Sequence, residues 1–170
     1  MSKAVLLSIR PEHCRKLIDG KKNVELRKNW PRKKTPFLCY LYCTMGGEIL
    51  PVGENALPAN GMVFGQAVCY DIYQAIEYNE DNYLVTYPEI IKKACVTEKE
   101  AIQYANGKSV YGWSLRHVEV YDKPRELSEF RSFCAPRHDC ECCDFWSEKW
   151  LDCMKRVTRA PQSWCYVEGE

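Results

Sequence analysis

The sequence lacks an excess of charge of either sign, a long hydrophobic run and internal repeats. Lysine and arginine total 24, and aspartate and glutamate total 23, so net charge gives no long-range attraction to a polyanion. The apolar run at residues 4–9 is too short for the hydrophobic part of a signal peptide or for a membrane span. We therefore expect a cytoplasmic protein with no membrane partner, on which any surface for nucleic acid is local.

The chain has the size and composition of one globular domain. It contains 170 residues, of which 46% are hydrophobic and 28% are charged. No linker or low-complexity tract divides it. We predict a single domain over residues 1–170 that carries a local insertion at about 134–153.

Strand and helix patterns begin near the N-terminus. Residues 4–9 predict a buried strand, residues 11–20 a short helix, and residues 23–27 a second strand with alternating polarity. Glu25 and Arg27 share one face of that second strand because side chains alternate along a strand. This polar face is a candidate site.

Later segments add strands and a second helix. Further strands are predicted at 37–43, 62–72, 110–121 and 164–167. Thr97 and Glu100 have the spacing of a capping box, which predicts a helix over 98–106. In the strand at 110–121, the apolar residues change from odd-numbered to even-numbered positions near Arg116 and His117, which predicts a β-bulge. Curvature of this kind is typical of a barrel.

Residues 6–27 read Leu-Leu-Ser-Ile-Arg-Pro-Glu-His-Cys-Arg-Lys-Leu-Ile-Asp-Gly-Lys-Lys-Asn-Val-Glu-Leu-Arg. They resemble the opening of ASCH-domain proteins, whose hallmark is a Gly-Lys-Lys-x-x-Glu-Leu-Arg turn after the first helix. Residues 40–44, 111–113, 121–124 and 160–167 agree with this family, and the branch they most resemble is the one found in phages and prophages of Gram-positive bacteria. The resemblance implies an α+β fold, a PUA-like mixed β-barrel with short flanking helices, here with a cysteine-rich insertion.

The resemblance also implies a cleft beneath the first helix that binds RNA or a modified nucleotide. Lys22 suits phosphate as a point charge, and Arg27 can pair bidentately with phosphate or a base edge. Glu25 can accept from a base amino group, orient Arg27 or act as a general base. From spacing alone, the alternative is an exposed Glu25–Arg27 ion pair worth under about 1 kcal/mol.

Other residues complete the predicted site. The candidate RNA or nucleotide contacts are Arg10, Lys22, Glu25, Arg27, Tyr42, Thr44, Trp113, Gln162, Ser163 and Trp164. Aromatic residues in this set can stack on an unpaired base, although core packing is the alternative for each of them. Gln162 and Ser163 are included because the resemblance implies that their segment lies near the cleft.

Two other functions stay open. Some ASCH relatives are amidohydrolases that act on acetylated cytidine, and others are ribonucleases that use a lysine of this turn. A weak enzyme of either kind would use Lys22 and Glu25, but Glu25 stands where the amidohydrolases have a threonine nucleophile, and a carboxylate requires a different mechanism. The third hypothesis is a phage interaction module that binds a host protein through the cysteine-rich insertion.

Eleven cysteines without an export signal indicate thiols or metal ligands rather than a disulfide scaffold. The candidate metal ligands are Cys134, Cys140, Cys143 and Cys153, with His138 or Cys142 as possible replacements. A closed four-thiolate site would hold structural zinc, or alternatively an iron–sulfur cluster. Free or oxidised thiols are the remaining alternative. Cys14, Cys39, Cys69 and Cys165 lie in apolar patterns and are predicted to be core.

Overall fold

The chain folds around one large mixed sheet flanked by short helices. The computed structural model describes residues 2–78, 83–132 and 156–169. Its strands are β1 Ser2–Ile9, β2 Val24–Arg27, β3 Phe37–Cys43, β4 Pro51–Val52, β5 Leu57–Pro58, β6 Val63–Tyr78, β7 Leu84–Thr86, β8 Val110–Arg125 and β9 Trp164–Gly169. The helices are α1 Pro11–Ile18, α2 Pro88–Lys93 and α3 Glu98–Ala105, with a 3-10 turn at Leu127–Glu129. None of the helices in these ranges is long and apolar enough to cross a membrane.

The large sheet has the order β2-β8-β6-β3-β1-β9, with β7 paired to β6. Strands β1 and β3 are parallel, while the other pairs are antiparallel. A parallel pair needs a crossover connection, which α1 and β2 supply. The long strands β6 and β8 shift register several times along their pairing, and such irregularities bend a sheet. The observed architecture confirms the predicted α+β fold.

Local signals in the sequence account for several of these elements. Thr97 Oγ1 accepts from the Glu100 amide at 3.2 Å, and the Glu100 carboxylate accepts from the Thr97 amide at 2.7 Å, which confirms the capping box. His117 has a φ of 51°, and the pairing of β8 with β6 shifts beside it, which confirms the bulge. Strand β6 extends beyond the predicted 62–72 because Ala75 and Ile76 pack in a second core beneath α2 and α3.

Strand β2 lies between two hydrophobic cores. Val24 and Leu26 face the second core, where they pack with residues of α2 and α3. Glu25 is directly opposite Trp113 of β8, and Trp113 belongs to the main core. Opposite residues in an antiparallel pair project to the same face, so the polar face of β2 points toward the end of the main core beneath α1. Both faces of β2 are therefore buried.

Gly65 marks a close approach between β6 and β8. A Cβ at this position would lie 2.2 Å from the carbonyl oxygen of Glu119, so the backbones would have to move apart. We expect Gly65→Ala to lower the free energy of unfolding, measured in urea, by about 2 kcal/mol. The control is Gly20→Ala, where φ is +69° but no atom lies within 4 Å of the added carbon, and we expect about 1 kcal/mol of backbone strain. Equal losses would contradict a steric cause at Gly65.

Candidate functional site

A cleft of about 720 Å³ opens between α1, α3 and the polar face of β2. Its walls come from the end of β1, α1, the turn into β2, the α2–α3 connection, α3 and the segment before β9. The lining residues are Ser8, Arg10, Glu12, His13, Lys16, Lys22, Glu25, Leu26, Arg27, Thr44, Cys95, Val96, Glu100, Ala101, Gln103, Tyr104, Gln162 and Ser163. The volume is within the range of small-molecule and cofactor sites.

Three charged residues form the floor of this cleft, and we call them the Lys22–Glu25–Arg27 network. They are only 3%, 4% and 8% exposed, respectively. Lys22 Nζ lies 3.1 Å from Glu25 Oε2, and Arg27 Nη1 lies 2.5 Å from Glu25 Oε1. One carboxylate therefore bridges two cations, and the buried network carries a net charge of +1.

Backbone carbonyls from three elements hold the two cations. Lys22 Nζ donates to the carbonyl of Ala94 at 2.7 Å, and Ala94 is the C-cap of α2, where helix carbonyls attract positive charge. Arg27 donates to the carbonyls of Leu26, at 2.7 Å, and of Ser8. The network thus ties α2, β1 and β2 together at the cleft.

The surroundings of Glu25 determine its charge. Burial by itself would raise the pKa of this carboxyl, but the Arg27 guanidinium, the Lys22 ammonium and His13 outweigh it and lower the pKa to about 2. Glu25 is therefore ionised at neutral pH and can only accept hydrogen bonds. Burial and the nearby Lys22 lower the pKa of His13, so its imidazole is neutral at pH 7 and offers one donor and one acceptor.

Most of the predicted contacts come together on the cleft. Those that line it are Arg10, Lys22, Glu25, Arg27, Thr44, Gln162 and Ser163. The segment before β9 is held there by β1, because Ser8 Oγ donates to the Pro161 carbonyl at 2.7 Å and the Ser8 amide donates to the Ser163 carbonyl at 2.9 Å. Residues that are far apart in the sequence, and that come from the segments resembling ASCH-domain proteins, therefore meet at this cleft.

The three predicted aromatic contacts lie elsewhere. Trp113 is fully buried and packs edge-on against Phe37, so it has no exposed face for stacking. Tyr42 is buried in a third hydrophobic cluster on the other face of the sheet. Trp164 is partly exposed and packs against Trp113 and Tyr166 without lining the cleft. Their positions are explained by packing in the hydrophobic cores.

Helix α3 contributes residues that sequence reasoning missed. Tyr104 lines the cleft, and Lys28 Nζ lies 5.2 Å from the centre of its ring, within cation–π range. Burial raises the pKa of the Tyr104 hydroxyl, which therefore stays protonated at neutral pH. The capping box at Thr97 located this helix in the sequence, but its place over β2 depends on packing between residues far apart in the chain.

The predicted metal ligands Cys134, Cys140, Cys143 and Cys153 lie outside the described residues, as do His138 and Cys142. Within the described ranges, no group of three or more histidine, cysteine or acidic side chains is placed to hold a metal ion. Zinc in the insertion stays a prediction. Of the cysteines predicted to be core, Cys14, Cys39 and Cys69 are buried, and Cys165 is partly exposed.

The mixed sheet and the short helices form an α+β fold, and the charged cleft lies beneath α1. The chain is similar in structure to ASCH from Zymomonas mobilis, with a TM-score of 0.60 and 19% identity over 97% of this chain and 87% of that one. Two single-substitution mutants of that protein give TM-scores of 0.59 and 0.60 at 18% and 19% identity, covering 98% and 97% of this chain and 91% and 88% of theirs. At this identity the likeness shows the fold. No protein-family model and no curated protein matches the chain.

Proposed function

We propose that this chain binds RNA or a modified nucleotide in the cleft. The observation that supports this proposal best is the net positive charge buried beneath an open cleft of suitable size. The carboxylate of Glu25 balances only one of the two cations, and the buried Arg27 Nε has no hydrogen-bond partner within the described residues, so an acceptor that enters the cleft adds a favourable interaction. Phosphate oxygens and base carbonyls are such acceptors. The same function is implied by the resemblance to ASCH-domain proteins, and the phage and prophage branch of that family is the one that we propose for this chain.

The geometry suggests a role for each charged group. Arg10 is exposed at the rim, where a phosphate can reach it. Arg27 and Lys22 supply donors from the floor, and the carbonyls and carboxylate that hold them fix the direction of those donors. Both oxygens of Glu25 face these two cations, and Oε2 is inaccessible to solvent. We therefore assign Glu25 the role of orienting Arg27 and Lys22 rather than reading a base.

The same geometry disfavours a ribonuclease or amidohydrolase that uses Glu25 as its base. Both mechanisms need a group that takes up a proton near neutral pH, and a general base works best when its pKa lies near the working pH. The pKa of Glu25 is about 2, so its carboxylate is a weak base. Binding of a host protein through the insertion concerns residues outside the described ranges.

The binding proposal is best tested at the rim, because Lys22 and Arg27 also hold the fold together. We expect Arg10→Ala to weaken binding of short single-stranded RNA by about 5- to 10-fold and to reduce the dependence of affinity on salt, since one phosphate contact is lost. Fluorescence anisotropy at several salt concentrations measures both effects. Nucleoside monophosphates serve as a second probe of the cleft alone.

The matched control is Lys21→Ala. Lys21 carries the same charge as Arg10 and is exposed beside the same helix, but it does not line the cleft. We expect this variant to bind RNA like the wild type. If both variants weaken binding equally, the cleft is not the site, and if the wild-type protein binds neither RNA nor mononucleotides, the proposed function is wrong.

A further inference from the structure

Beside the cleft, an exposed tryptophan is held by a strongly basic segment. Residues 28–34, which we call the 28–34 segment, follow directly from Arg27 on the cleft floor and contain four lysines and arginines. No acidic residue occurs between Glu25 and Glu48. Trp30 lies within this segment and is 45% exposed, although tryptophan side chains are highly buried on average.

Three contacts fix the start of the 28–34 segment, and two of them reach a residue that lines the cleft or its neighbour in the chain. Lys28 lies over the ring of Tyr104, which itself lines the cleft. Asn29 Oδ1 accepts from Trp164 Nε1 at 2.8 Å, next to the cleft residue Ser163. The ring of Trp30 meets Tyr111 edge-on, with a centroid separation of 4.2 Å and an interplanar angle of 61°. The segment therefore connects α3, β9 and β8 around the cleft.

These contacts hold Trp30 close to the floor of the cleft. Tyr111 is directly opposite Arg27 in the pairing of β2 with β8, so both side chains project to the same face. Trp30 is three residues beyond Arg27, which limits its distance along the chain to roughly 10 Å. The buried Pro31 restricts the backbone of Trp30 to extended conformations. The ring is thus positioned before any ligand arrives, which lowers the entropy lost on binding.

The 28–34 segment carries both positive charge and an exposed aromatic ring. Proteins that bind single-stranded nucleic acid combine these two features. Arg32 and Lys34 are exposed on the same segment and can contact phosphates. An exposed indole face can stack on an unpaired base of any sequence. Edge-on contact with Tyr111 secures the ring while nearly half of its surface faces solvent.

We infer that Trp30 and the 28–34 segment form a second subsite, which stacks a base of the nucleotide next to the one held in the cleft. The inference rests on the proposed function and extends it, because it identifies the ligand as single-stranded RNA of at least two nucleotides. A free nucleotide fills only the cleft. A neighbouring nucleotide adds a stacked base on Trp30 and phosphate contacts along the segment.

The test compares a single-stranded RNA pentamer of mixed sequence with its component mononucleotides, using titration calorimetry at fixed salt. We expect the wild-type protein to bind the pentamer at least about tenfold more tightly than any of the mononucleotides. Trp30→Ala should remove most of this gain and leave mononucleotide affinity unchanged. Trp30→Phe keeps an aromatic face and should retain most of the gain. Circular dichroism of each variant checks folding.

Tyr83→Ala is the matched control, because Tyr83 is another exposed aromatic residue, precedes β7 and does not line the cleft. This variant should retain the full gain. If mononucleotides bind the wild type but the pentamer binds no better, the subsite is wrong and the proposed function stands. A Trp30→Ala variant that weakens both ligands equally also overturns the subsite, because the residue then acts through the cleft. Failure of both ligands to bind the wild type overturns both proposals.

Discussion

Glu25→Gln should lower the free energy of unfolding by about 3–5 kcal/mol, the range for removing one partner of a buried ion pair. Glutamine has nearly the same shape but carries no charge. The substitution therefore leaves Lys22 and Arg27 buried without the carboxylate that now lies 3.1 Å from one and 2.5 Å from the other. Their carbonyl partners on Ala94 and Ser8 remain, but these dipoles do not replace a full negative charge.

Urea unfolding at neutral pH, followed by circular dichroism, measures this loss. The control is Lys21→Ala, which removes the ion pair between Lys21 and Asp19 on the surface of the same turn. Both side chains of that pair are well exposed, so we expect a loss of under about 1 kcal/mol. Similar losses in Glu25→Gln and Lys21→Ala would show that the network contributes no more than a surface pair.

The face of β2 on which Glu25 lies could be predicted from local sequence, but the burial of Glu25 could not. Strand periodicity correctly placed Glu25 and Arg27 on one face of β2. Spacing alone favoured an exposed ion pair, whereas both residues are buried. Their burial depends on α1 and on the α2–α3 region, whose Ala94 carbonyl meets Lys22 across 72 residues of sequence. No pattern within β2 encodes that approach, and only the family resemblance indicated a cleft there.

The aromatic residues also show that burial and exposure depend on contacts that the local sequence does not reveal. Trp113 was a stacking candidate because of its type and its place in a matching segment. The alternation of β8 shows which residues share a face with Trp113, but it does not show that this face closes over the main core. Trp30 received no role from the sequence because it lies outside the predicted strands and directly precedes Pro31. Its position depends on a long-range contact with Tyr111 of β8, which no local pattern reveals.

The stability of the wild-type protein should also fall in acid because of Glu25. The pKa of its carboxyl is about 2 in the folded protein, against an ordinary value of 4.5. Between these pH values the unfolded chain binds a proton that the folded chain does not, so lowering the pH favours unfolding. The stabilisation is present above pH 4.5 and is lost as pH falls through about 2, and it amounts to about 3 kcal/mol.

Other groups act in the same direction and set the background of this measurement. His13 has a lowered pKa, so its contribution is present above its ordinary pKa of 6.5 and decreases as the pH falls below that value. The pKa of Glu100 is lowered by the hydrogen bonds from Thr97 in the capping box, which adds acid dependence at an exposed position. A single titration of the wild-type protein therefore does not isolate Glu25, and the comparison with Glu25→Gln is needed.

The decisive quantity is the difference in the free energy of unfolding between the wild-type protein and Glu25→Gln. At neutral pH the variant should be less stable by the full loss from the broken network. As the pH approaches 2, Glu25 of the wild-type protein takes up a proton and becomes neutral, like the glutamine that replaces it. Urea titrations of both proteins from pH 7 downward should therefore show a stability difference that is constant to about pH 4.5 and then shrinks toward zero. A difference that stays constant throughout would mean that the variant is destabilised by a change in shape or hydrogen bonding, and that the charge of Glu25 contributes little.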